Sequence, residues 1–128
     1  MESLSAGSLK IEIAEGAPDA PLSLRWLGRS ADRSPASVIG PWFAQVVGVA
    51  LEKKVSIEMR FESLEHFNSS TIACIIQLIQ QARGKGVRLV IFYDTTIKWQ
   101  RLAFEALRVL VKNDGLFELK SVTTGEKR

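Results

Sequence analysis

Four consecutive side chains able to cap or carry a phosphate, Asn68-Ser69-Ser70-Thr71, stand where two patterns meet. Before them Val55, Ile57, Met59 and Phe61 alternate with Ser56, Glu58, Arg60 and Glu62, the period of a half-buried strand over 55–62. After them Ile72, Ile75, Ile76, Ile79 and Ala82 recur at helical spacing, so 70–83 reads as an amphipathic helix. Asn68 or Ser69 suits the N-cap, because either side chain can accept from the first unpaired N–H groups. A helix N-terminus favours an anion. A phosphate on Ser69 would add roughly −1.5 to −2 charge there at pH 7. The same four residues also make an ordinary capping loop.

Other reactive side chains are scattered. His66 is the one histidine, in a loop, and no second histidine exists to share a metal. Glu62 and Glu65 lie near it but form no recognisable acid–base pattern. Cys74 falls among helical isoleucines and reads as a packing residue. No Ser/His/Asp order, phosphate-cradling glycine loop or metal-ligand spacing occurs. The expectation is a protein that is not an enzyme, with no cofactor and no metal.

The apolar fraction is 46% and the charged fraction 24%, as in ordinary globular proteins, and 128 residues suffice for one core. The formal charge of +3 is spread along the chain, without interleaved aromatic and basic residues, which sets nucleic acid aside. There is no signal-peptide pattern, and the lone cysteine fits a reducing cytoplasm.

Met1 to Ser8 reads as a tail, and 9–122 as a single domain. Leu9, Ile11 and Ile13 mark a first strand; Leu22, Leu24 and Trp26 mark a second, antiparallel to it. Gly28 to Pro35 reads as a polar loop. Ala36 to Leu51 carries no charge, but prolines, glycines and Gln45 interrupt it, so it reads as a buried helix rather than a membrane span, which needs about 20 apolar residues. Val38, Ile39, Trp42, Phe43, Val46, Val47 and Val49 form its apolar half. Gly84-Lys85-Gly86 ends the next helix, and Val87 to Tyr93 is a strand covered on both faces. The unit from 55 to 93 is then a parallel strand–helix–strand crossover.

Asp94-Thr95-Thr96 caps a third helix, Ile97 to Lys112. Its apolar arc is too wide for one sheet face. The part around Phe104, Leu107 and Val111 is expected to meet a neighbouring helix, a partner or a second copy. Leu116 to Val122 is the last strand and Thr123 to Arg128 a tail. The order β β α β α β α β predicts a two-layer α/β sandwich: a mixed sheet of about five strands, with three helices mainly on one face.

This arrangement resembles the STAS fold of bacterial anti-sigma factor antagonists. In that family the turn reads Asp-Ser-Ser/Thr-Gly; here Asn68 replaces the aspartate and Thr71 the glycine. The ordered set Gly28-Arg29-Ser30, Pro35, Pro41-Trp42, Phe67-Asn68-Ser69-Ser70 and Tyr93-Asp94 is more similar to the SiaC-type regulatory phosphoproteins, over about residues 9–122. Arg29 stands where that family usually has an acidic residue.

The resemblance implies a cytoplasmic switch. A serine/threonine kinase phosphorylates Ser69, with Ser70 or Thr71 as alternatives, and a PP2C-type phosphatase reverses it. The target is a diguanylate cyclase in the SiaC-type family, or an anti-sigma kinase if the chain acts as an antagonist. Phe67, Asn68 and Ser70 beside the switch, with Phe104 and Leu107, are the expected partner contacts, and a homodimer is open. A third possibility is a STAS-like module that binds a small ligand or lipid.

Overall fold

The computed structural model describes residues 1–122; the tail expected at 123–128 lies outside the described residues. The chain forms β1 (Leu4–Ala6), β2 (Leu9–Glu15), β3 (Leu22–Ser30), α1 (Ala36–Lys53), β4 (Ile57–Arg60) and β5 (Leu64–Phe67). It continues with α2 (Ser69–Gly84), β6 (Leu89–Asp94), α3 (Lys98–Glu105), a 3-10 turn (Ala106–Leu110) and β7 (Phe117–Val122). The sheet runs β1-β2-β3-β4-β6-β7, with β5 beside β3. The β1–β2 and β2–β3 pairs are antiparallel, and β3–β4, β3–β5, β4–β6 and β6–β7 are parallel. The mixed α/β sandwich expected from the sequence is present, with seven strands rather than about five.

The two extra strands have local causes. Residues 1–8, expected as a tail, supply β1. Gly7, at φ +59°, turns the chain so that Ala6 pairs with Leu9. Three contacts tie this end down: Ile13 N donates to Ser3 Oγ at 3.0 Å, the terminal amine meets Glu15 at 2.9 Å, and Trp42 Nε1 donates to the Glu2 carbonyl at 2.9 Å. Trp42 is therefore only half-buried. The strand expected over 55–62 stops at Arg60, because Leu64 N bonds back to the Phe61 carbonyl at 3.0 Å and turns the chain into β5.

Gly28 to Ser30, expected in a loop, continues β3. A register shift between Gly28 and Arg29 lets the strand leave β4 and pair with β5. Gly28 sits at φ +83°, and a Cβ there would lie 2.1 Å from the Ser8 carbonyl oxygen, so only glycine fits.

The helical layer buries Ile39, Phe43, Val46, Cys74, Ile75 and Leu78 against Leu24, Trp26, Met59 and Ile91 of the sheet. The Phe61 ring lies 4.7 Å from both Trp26 and Phe104, and Phe104 lies 5.6 Å from both Phe67 and Tyr93. Such pairs add about 0.5–1.5 kcal/mol beyond area burial. The opposite face carries charge. Glu12, Arg25, Arg60, Phe92 and Lys120 stand in one cross-strand row. Arg25 and Arg60 are neighbours of like charge, offset by Glu12 at 2.9 Å from Arg25 and Glu62 at 3.0 Å from Arg60. The Arg60 guanidinium also covers the Phe92 ring at 4.0 Å.

The third helix is shorter than expected. Asp94 Oδ1 accepts from Thr96 N at 2.8 Å and Thr96 Oγ1 at 2.7 Å, which makes a turn before the helix rather than its cap. Past Glu105 the coil tightens to 3-10. Gln100, fully buried, holds this region together. Its Oε1 accepts from Asp94 N at 2.9 Å, and its Nε2 donates to the Phe61 and Leu64 carbonyls at 2.7 and 3.3 Å.

Replacing Gln100 by leucine keeps its bulk and removes three hydrogen bonds made to buried backbone groups, of which the Phe61 carbonyl keeps its bond from Leu64 N. Gln100→Leu is expected to lose about 2–4 kcal/mol of unfolding free energy, read as a lower urea midpoint at unchanged slope. A loss below about 1 kcal/mol, the worth of one ordinary hydrogen bond, would mean the backbone finds other partners.

Candidate functional site

The polar turn sits where β3 and β5 end and α2 begins. Asn68, in extended backbone, is the N-cap. Its Oδ1 accepts from Thr71 N and Thr71 Oγ1, both at 2.9 Å. Its Nδ2 donates to the Asp32 carbonyl at 2.9 Å, and its backbone N–H donates to the Ser30 carbonyl at 3.1 Å. One side chain thus ties α2 to the segment that leads into α1.

The three hydroxyls differ in access. Thr71 is fully buried, and its Oγ1 shares a 2.7 Å hydrogen bond with Ser30 Oγ. It is a framework group, and a kinase cannot reach it without opening α2, which removes Thr71 as an alternative phosphate acceptor. Ser70 is half-buried, and Ser69 is exposed at the first helical position. No acidic residue lies in the first turn of α2, so the positive end of the helix dipole is not offset by its own side chains.

A groove of about 510 Å³ opens beside this turn, lined by Gly7, Ser8, Arg29, Asp32, Pro35 and Val38 among others. It shares Ser30 and Asp32 with the Asn68 network. Arg29 pairs in register with His66, and both are exposed. The site therefore offers an exposed hydroxyl, an exposed cation, an exposed imidazole and an open groove of mixed polar and apolar lining, all on one loop end of the sheet. Glu62, expected near the turn, is engaged by Arg60 at 3.0 Å.

Three expected partner contacts are core residues instead. Phe104 is 0% exposed and Leu107 4%. Phe67 is buried too, with its ring edge-on to Trp99 at 4.9 Å. Part of the wide apolar arc of the third helix is covered, because Phe61, Phe67 and Tyr93 wrap Phe104 and the 3-10 turn sends Leu107 into the core. The apolar side chains left exposed there are Leu102 at 58%, Val109 at 82% and Val111. Asn68 and Ser70 keep their places at the turn. Ser30 and Asp32, which complete the network, carry a weak signal in the sequence; Ser30 stands out only within the Gly28-Arg29-Ser30 motif.

Cys74 lies in the core, and burial pushes its thiol up to about 11. Among the described residues no group of His, Cys, Asp or Glu side chains is placed to hold a metal ion. Among them also, no helix is long and apolar enough to cross a membrane.

No family model and no curated protein sequence matches the chain. The solved structures that match include the anti-sigma factor antagonist SpoIIAA in its unphosphorylated form. The TM-score is 0.57 at 14% identity, over 90% of each chain. At that identity the likeness establishes the fold: the chain has the STAS-like architecture.

Asn68→Ala is expected to cost about 1–2 kcal/mol and to speed amide exchange through the first turn of α2. Asn68→Asp keeps the acceptor, loses the bond to Asp32 and should cost less; equal losses would show that capping is not the main role of Asn68. Iodoacetamide at neutral pH should leave Cys74 unmodified in native protein and alkylate it in urea. Alkylation at equal rates in both would contradict its burial.

Proposed function

We propose that the chain is a non-enzymatic regulatory binding protein, acting in the bacterial cytoplasm and switched by phosphorylation of Ser69. The observation that carries this reading is the access of Ser69. Of three consecutive hydroxyls at the start of α2, it alone is exposed, on a turn bonded to Ser30 and Asp32 of an open groove. The fold it sits in is shared with a regulatory antagonist whose solved state is described as unphosphorylated.

The physical effect is local. A phosphate on Ser69 brings a dianion and three strong acceptors to a surface that is otherwise uncharged at Asn68-Ser69-Ser70. A partner seated over Asn68, Ser70 and the groove would have to desolvate that dianion or supply a cation for it. A partner selected for the hydroxyl form is therefore released. A serine/threonine kinase sets the phosphorylated state and a PP2C-type phosphatase resets it. The target is a signalling protein. The shared fold favours an anti-sigma factor; the ordered motifs from Gly28 to Asp94 favour a diguanylate cyclase.

The test compares unmodified protein, Ser69→Ala and protein phosphorylated at Ser69 as baits in bacterial extract. A common partner held by the first two and weakened roughly tenfold or more in the third, about 1.4 kcal/mol, is the expected result. Its identity separates the anti-sigma factor from the cyclase. Equal capture by all three baits, or a cognate kinase that labels Ser69→Ala as well as wild type, would sink the assignment.

A further inference from the structure

The strands at the two ends of the sheet order, β1 and β7, are unequal. β1 spans three residues, is followed by a tight turn and is pinned at its start by the Met1–Glu15 and Trp42–Glu2 contacts. β7 spans six residues, and among the described residues its one partner strand is β6. A short, tethered edge is protected; a six-residue edge is a template for another strand.

The direction of the free groups follows from two bonds. Leu89 N donates to the Leu116 carbonyl and Thr95 N to the Val122 carbonyl. Even-numbered residues of this strand therefore face β6. By the period of two, Phe117, Leu119 and Ser121 turn their N–H and C=O groups to the open edge. An antiparallel strand must pair odd residues with odd ones to use these groups.

We propose that β7 pairs with β7 of a second copy about a two-fold axis at Leu119. Three central registers satisfy the backbone. One sets Glu118 opposite Glu118, and another sets Lys120 opposite Lys120. The register centred on Leu119 alone sets Glu118 opposite Lys120, and the two-fold makes that pair twice, on the charged face of the sheet. These are non-hydrogen-bonded positions, where opposed side chains come closest. Glu118 also holds Arg88 of its own chain at 2.9 Å through one carboxylate oxygen. The self-complementary charge is what selects a second copy over an unrelated strand. The pairing is independent of the role of Ser69.

The 128-residue chain is examined by light scattering over a dilution series. Wild type is expected at twice the monomer mass at high concentration. Glu118→Lys alone and Lys120→Glu alone each oppose like charges twice and should weaken association roughly tenfold or more. The Glu118→Lys, Lys120→Glu double variant restores opposite charges and should dimerise again. Thermal melts verify that each variant is folded. A second readout needs no substitution. The Leu119 and Ser121 amides should gain exchange protection as wild-type concentration rises, while that of Lys120 is protected throughout. A monomeric wild type, single reversals that dimerise as tightly as wild type, a double variant that stays monomeric, or Leu119 exchange independent of concentration would each overturn the proposal.

Discussion

The structure around the site depends on one carboxamide. The Asn68 side chain accepts twice from Thr71 and donates to Asp32, while the Asn68 backbone donates to Ser30 and accepts from Thr71 N and Ile72 N. Two stretches of chain that are distant in sequence, the end of β3 with the loop after it and the start of α2, meet at this residue. An aspartate could accept as well but could not donate to a carbonyl. The amide therefore does two jobs at once, closing the helix and gripping the loop before α1. Thr71 and Ser30 extend the grip into the core through a buried hydroxyl pair. What remains outside this network is Ser69. The turn is rigid beneath and open above, the condition for a modifiable residue that changes a surface without unfolding a domain.

Much of this architecture is readable from periodicity, and the failures are informative. β2, the first half of β3, β4 and α2 declare themselves because each has one buried and one wet face. β5 does not, since Leu64-Glu65-His66-Phe67 is buried at its ends and exposed in the middle, following the bulged partner rather than an alternation. β1 is three residues long, too short for any period. The extension of β3 hinges on a close approach between Gly28 and Ser8, a tertiary fact that no local pattern records.

At the site the residue types were legible and their accessibilities were not. Asn68-Ser69-Ser70-Thr71 reads as a polar turn at a helix start, but a run of hydroxyls does not say which one faces inward. The third helix shows the same limit. An apolar arc announces burial without naming its cover, and here the cover for Phe104 is the chain's own Phe61, Phe67 and Tyr93. Gln100 lay unnoticed because a glutamine in a helix is usually solvated. It is buried only because two carbonyls and one N–H converge on it.

The bulge at Gly28 has a consequence for how the loop end is held. It lets a single strand serve β4 along its first half and β5 along its second. β5 is held to the sheet by three residue pairs, whereas β2 and β3 share seven. Side chains make up the difference: Gln100 holds the Leu64 carbonyl, and Asn68 and Thr71 bond to Ser30 and Asp32 at and just past the end of β3. The centre of the sheet is held by its backbone ladder, the loop end by side chains. The surface around Ser69 therefore rests on bonds that substitution can tune one at a time without touching the ladder.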